Sequence, residues 1–210
     1  MQSTAGDGGE LSPQQGWEDI HATMDQLRSS MYVAGTATIL LVWGAVISLG
    51  YFAEYSFTTF LEEMAADRPW IRAPLWTGLV AVGMVASAVI GSRASRGTGA
   101  GAAARSAGIR TFLFWLTIGI AAFVMPAALG LWEEGNAQQI GGVSIGIAML
   151  GYILFGIMHR PIIAVLGLAF LAAYFVPYAL AGDAALLYSA ILTLATAAAG
   201  WALIRRSDTL

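Results

Sequence analysis

The chain has no cysteine and no lysine, and all ten of its cationic side chains are arginine. Without cysteine there are no disulfides, no thiolate metal ligands and no thiol nucleophile. Histidine is almost missing too, with only His21 and His159. Charged residues make up 11% of the 210 positions, where a soluble domain carries about 25%. Most of the chain therefore has no water-facing surface to fill. What replaces charge is apolar character, 58% of residues, with a mean hydropathy of +0.70.

The stretch 91–110, GSRASRGTGAGAAARSAGIR, contains four arginines (Arg93, Arg96, Arg105 and Arg110) and no acid. Long uncharged apolar runs lie on either side of it. Runs of about 18 or more such residues read as membrane-crossing helices. Basic loops between them are retained in the cytoplasm, so this loop is expected to set the orientation of the chain. Six spans are expected, at 32–52, 73–92, 111–132, 140–158, 161–182 and 184–204. With a cytoplasmic N-terminus, eight arginines fall on the inner side and only Arg68 and Arg72 on the outer side. The outer loops are acidic instead, with Glu54, Glu62, Glu63, Asp67, Glu133, Glu134 and Asp183.

Ahead of the spans, residues 1–11 are small, polar and acidic and read as a disordered tail. Ser12, Pro13 and Gln15 then give a helix start with a capping box. Trp17, Ile20, Met24, Leu27 and Met31 recur at spacings of three and four, on one helix face. Residues 12–31 are thus expected to form a cytoplasmic amphipathic helix, either lying on the inner leaflet or the protein's own loops or using this stripe as a docking face for a partner. The acids Glu18, Asp19 and Asp25 make an anionic lipid surface a poor partner for it.

Spans three to six hint at a duplicated pair of helices. Arg110 is followed by Pro126 in FVMPAALG, and Arg160 by Pro177 in FVPYALAG. The three-hairpin plan is similar, in number of helices, to that of HdeD-like small six-span bacterial proteins. That similarity of helix count carries no functional residue with it.

Gly142-Val143-Ser144-Ile145-Gly146 matches G-x-S-x-G, the nucleophile elbow of soluble hydrolases. Here it lies inside an apolar helical run. The nearest histidine in sequence, His159, is fifteen residues away on the same run, roughly 22 Å along a helix. A serine without a base is not activated. Gly142 and Gly146 instead read as a small-residue face for close helix packing, with Ser144 bonded to a carbonyl of its own helix. His159 reads as an interfacial turn residue. Glu62-Glu63 and Glu133-Glu134 read as helical neighbours or solvated loop charges before they read as cation ligands.

None of the six spans, so bounded, contains Asp, Glu, Lys, Arg, His, Asn or Gln. Such groups mark proton relays and ion pathways. Their lack argues against a proton-coupled pump and a buried site for a charged substrate. Tyr51, Tyr152, Tyr174, Tyr178 and Tyr188 are the remaining candidates to line a route for a neutral or lipidic molecule.

The expectation is an all-α, polytopic membrane protein with six transmembrane helices in three hairpins. The spanning domain covers 32–206, followed by a cytoplasmic tail at 207–210. The cytoplasmic membrane of a bacterium or archaeon is its expected place, with both termini inside. The expected role is an accessory or interaction protein, docking on a larger membrane assembly or on its own copies. The alternative is a small carrier or channel for an uncharged or lipid-like solute. Catalysis is not expected, nor a cofactor, a metal or a nucleic-acid partner.

Overall fold

The computed structural model describes residues 13–96, 102–131 and 137–207, with the side chains of 13–34 among those left out. The long helices are α1 (Pro13–Thr59), α3 (Arg72–Arg96), α4 (Ala102–Ala128), α5 (Ala137–His159), α6 (Pro161–Leu180) and α7 (Ala185–Ser207). Between α1 and α3 lies the short α2 (Glu62–Asp67), with one 3₁₀ turn at Pro69–Ile71 and another at Gly182–Ala184. No strand occurs among the described residues. Six helical segments are long and apolar enough to cross a membrane: Gly35–Thr59, Arg72–Ala94, Gly108–Ala128, Gln139–His159, Pro161–Leu180 and Gly182–Arg206.

Three boundaries differ from expectation. First, no break separates residues 13–31 from the first span, because α1 is one helix of 47 residues. Between Gln14 and Thr59 there is no proline, and isolated glycines weaken a helix without ending it. Second, α1 continues past Phe52, which brings Glu54 into the helix. Third, the arginine-rich stretch is mostly helical: Arg93 and Arg96 lie on α3, and Arg105 and Arg110 on α4. Alanine and arginine are good helix formers. Only 97–101, the glycine-rich part, falls outside the described residues there.

Successive long helices run back and forth, so the bundle has two ends. One carries Glu54, Glu62, Glu63 and Asp183 and is called the acidic end below. The other carries Arg93, Arg110, Arg160, Arg205 and Arg206 and is called the basic end. At the acidic end α4 and α6 stop in the same way. Each has a proline near its close, Pro126 or Pro177, and then a positive-φ glycine, Gly130 at 74° or Gly182 at 52°. Glycine takes that left-handed conformation without steric cost.

The core belongs to four helices. Ala37 and Leu40 of α1, Met149 of α5, Leu166 and Phe170 of α6, and Ala197 and Ile204 of α7 form one buried cluster. Small residues let these helices close on one another. A Cβ on Gly44 would collide with the Cβ of Ala197, and one on Gly156 with the backbone of Ala164. One on Gly167 would come within 2.9 Å of the Ile153 side chain. The other two spans sit outside this core: α3 leans on α1 and α4 leans on α5.

Candidate functional site: the junction of the first helix with its neighbours

The contact between α1 and α3 is built from one spacing used twice. Trp43 precedes Gly50 by seven residues in α1, and Trp76 precedes Gly83 by seven in α3. The helices run antiparallel, so each tryptophan meets the other helix's glycine. A Cβ on Gly83 would lie 3.1 Å from the Trp43 ring, and one on Gly50 would collide with the Trp76 ring. One turn further along, the Trp43 indole N–H donates to Ser87 Oγ at 3.0 Å. Seven residues is two helical turns, which keeps both members of each pair on the same face. The matched W-x₆-G spacing was the available sequence signal for this contact.

At the acidic end the same register brings Glu54 onto α3. Arg72 Nε donates to Glu54 Oε2 at 2.9 Å, and Trp76 Nε1 donates to Glu54 Oε1 at 3.0 Å. The carboxylate side chain is only 14% exposed. A carboxylate this enclosed is stable only with its charge matched and its lone pairs engaged, and one helix supplies both donors, four residues apart.

One turn below Glu54, the rings of the buried Tyr51 and of Trp76 meet in a T-shaped arrangement at 6.2 Å between centroids. It also lies 5.4 Å from the ring of Tyr174 on α6. Tyr178 stacks on Tyr174 in turn, at 6.0 Å. A further turn down, Ser48 Oγ donates to the Ala190 carbonyl of α7 at 2.7 Å. Within about two turns, α1 is therefore tied to α3 by charge, to α6 by aromatic contact and to α7 by a hydrogen bond. These bonds run between helices, so the arrangement fixes α1 as the hub of the bundle's acidic half.

The five tyrosines are not gathered into one route. Tyr51, Tyr174 and Tyr178 are together. Tyr152 lies in a separate aromatic group, 4.6 Å from the Trp115 ring of α4. Tyr188 is 52% exposed on the outer face of α7.

Ser144 does not bond its own helix. Its Oγ donates to the Ala122 carbonyl of α4 at 2.8 Å. Ala122 is four residues before Pro126, so it faces the missing N–H of the proline. Ser144 supplies the donor that Pro126 cannot. Ser189 of α7 donates to the Tyr174 carbonyl of α6 at 3.4 Å, one residue past the carbonyl of Ala173 that Pro177 leaves without an N–H.

Gly142 and Gly146 make no close approach within the chain, since a Cβ on either would meet nothing within 4 Å among the described residues. The glycines of α5 that do approach neighbours are Gly141, Gly151 and Gly156. His159 ends α5 with its Nδ1 3.0 Å from the Phe155 carbonyl. A carbonyl only accepts, so that nitrogen carries the proton. The imidazole also stacks on the Phe155 ring at 4.1 Å.

Glu62 and Glu63 open α2 and are exposed. Glu133 and Glu134 lie outside the described residues. No group of three or more metal-ligating side chains is assembled among the described residues. The positions Trp17, Ile20, Met24, Leu27 and Met31 lie on the described helix α1, but their side chains fall outside the described residues. Arg93 and Arg110 are exposed at the basic end, while the side chains of Arg96 and Arg105 also fall outside the described residues.

No family model, no curated protein and no solved structure matches this chain. Six candidate membrane-crossing helices define it as a multi-pass membrane protein.

Proposed function

We propose that this chain is an integral membrane interaction protein, docking on a larger membrane assembly or on copies of itself. Its place would be the cytoplasmic membrane of a bacterium or archaeon. In this reading its helices form three hairpins, preceded by a cytoplasmic amphipathic segment, with both termini in the cytoplasm.

The observation that carries this reading is the state of α3 and α4. They follow one another in sequence, yet among the described residues each leans on a single long helix and they form no comparable interface together. Gly78 and Gly91 of α3 and Gly108 and Gly119 of α4 have open space where a Cβ would stand, as do Gly142 and Gly146 of α5. Glycine-bearing helix faces let another membrane helix approach closely, and among the described residues nothing packs within 4 Å of a Cβ at these positions. The carrier reading draws on the buried Tyr51, Tyr174 and Tyr178. It ranks second because the remaining tyrosines lie elsewhere.

Two experiments test the reading. Purification in mild detergent is expected to yield the chain in a complex larger than the lipid-loaded monomer. Gly119→Leu together with Gly146→Leu is expected to shrink that complex while membrane insertion is unchanged. A wild-type monomer with no companion would overturn it. For orientation, a reporter after Arg206 is expected to read cytoplasmic, and one at Glu134 external. Neutralising Arg93, Arg96, Arg105 and Arg110 is expected to mix the two orientations.

A further inference from the structure

Helix α1 is much longer than a membrane is thick. Its 47 residues extend about 70 Å, against about 30 Å of hydrocarbon. The helices beside it show where the bundle stops. Gly35 of α1 is level with Ala94, two residues before the end of α3. Ala37 shares a cluster with Ile204, three residues before the end of α7. Both helices packed on α1 therefore finish near its residue 34. The segment 13–34 runs on past them, a rod of about 33 Å at the basic end.

The order of residues along this rod is a heptad. Trp17, Met24 and Met31 fall at the first position of successive sevens, and Ile20, Leu27 and Ala34 at the fourth. A strict repeat of 3.5 is the pattern of a coiled-coil seam, narrower than the apolar stripe of a helix lying on a globular surface. The charges avoid it. Glu18, Asp19 and Asp25 take the second and third positions, and Arg28 the fifth. We infer that the rods of two copies of this chain pair through this seam as a parallel, in-register coiled coil. This deepens, and rests on, the interaction-protein reading.

Three arguments select a second copy. Two copies in one membrane share one orientation, so rods leaving at the same point are necessarily parallel. Parallel pairing sets seventh positions against fifth positions of the next heptad. Here that means Gly16 with His21 and Thr23 with Arg28, so no like charges meet. An anionic lipid surface is a poor alternative, because three acids against one arginine leave the rod negative. The rod instead leaves the bundle at its arginine-rich end, where negative charge is favoured.

The absence of cysteine from the chain makes the test direct. Single variants of the full-length protein are oxidised in native membranes: Ile20→Cys, Met24→Cys and Leu27→Cys on the seam, and Asp19→Cys, Asp25→Cys and Ser29→Cys off it. Seam variants are expected to shift to twice the 22.0 kDa of the chain, with about tenfold more product than the others, as the geometry of an in-register seam requires. Met24→Asp with Leu27→Asp is expected to remove the dimer on a sizing column without lowering the amount in the membrane. Equal cross-linking around the helix, or no cross-linking at the seam, overturns the pairing. If the double aspartate variant then loses a copurifying membrane protein, the second copy is wrong and the interaction reading survives. If size and companions are unchanged as well, both fail.

Discussion

The inner four helices and the outer two are equally apolar but differently held. About a third of the residues of the α1, α6 and α7 spans are buried, and 22% of α5, against 6% for α3 and α4. The inner helices are interlocked by close backbone approach along their lengths. The outer helices are fastened at a few named points: reciprocal Trp–Gly contacts and Glu54 for α3, Ser144 and the Trp115–Tyr152 contact for α4. In lipid, burying an apolar face against protein gains little over burying it in hydrocarbon. Close packing and polar ties decide which helices belong together, and they mark α3 and α4 as the adaptable part.

The largest expected effect breaks this contrast directly. Gly44→Leu and Gly156→Leu force a side chain into Ala197 and into the Ala164 backbone. Overpacking of a closed interior costs about 1–3 kcal/mol or more, and here the helices cannot separate without opening the core. Both variants are expected to lose most folded protein, read as aggregation on a sizing column. Gly78→Leu on α3 and Gly119→Leu on α4, whose sites have open space, are expected to stay folded. Equal damage from both pairs would erase the distinction between inner and outer helices.

A middle-sized effect is expected at Glu54. Glu54→Gln leaves Arg72 without its counter-charge and weakens the bond from Trp76. Since Arg72 is 30% exposed, water recovers part of the loss, and the cost is about 1–2 kcal/mol. The check is thermal unfolding in mild detergent, with proteolysis of the α1–α3 connection as a local readout. Glu54→Gln with Arg72→Gln is expected to recover part of the stability. A double variant no better than the single one would show that the carboxylate is held for its shape alone.

Much of the architecture is readable from composition. Apolar runs of spanning length persist as helices because lipid leaves the backbone no other partner than itself. The segregation of acid and arginine to opposite ends follows from the order of the runs. What resists reading is the pairing of helices, and Glu54 shows why. A carboxylate in a hydropathy profile marks the end of a span, yet here it continues the helix because Arg72 and Trp76 neutralise and cap it. That partnership depends on register between helices, which the charge of one residue does not contain. The W-x₆-G spacing in α1 and α3 does contain it, though only once the two helices are known to be antiparallel neighbours. Gly142 and Gly146 show the reverse: their spacing suits close packing, but nothing in it says with which helix.

The smallest expected effect sharpens how an outer helix is attached. Ser144→Ala leaves the Ala122 carbonyl without its donor from α5, and Pro126 has no N–H to offer in its place. Hydrogen bonds between membrane helices are worth about 0.6–1 kcal/mol, so a loss of that size is expected in a steric-trap or denaturant titration. Replacing the proline as well gives the decisive comparison. In a Pro126→Ala background the helix can close its own bond to Ala122, so Ser144→Ala is expected to cost markedly less than in the parent chain. Ser189→Ala, whose bond to Tyr174 is longer at 3.4 Å, is expected to cost less than Ser144→Ala in the parent. Strictly additive losses for Ser144 and Pro126 would mean that the serine merely tethers α5 to α4. Coupled losses would mean that α4 needs its neighbour to complete its own backbone, an attachment that survives even where apolar contact is exchangeable for lipid.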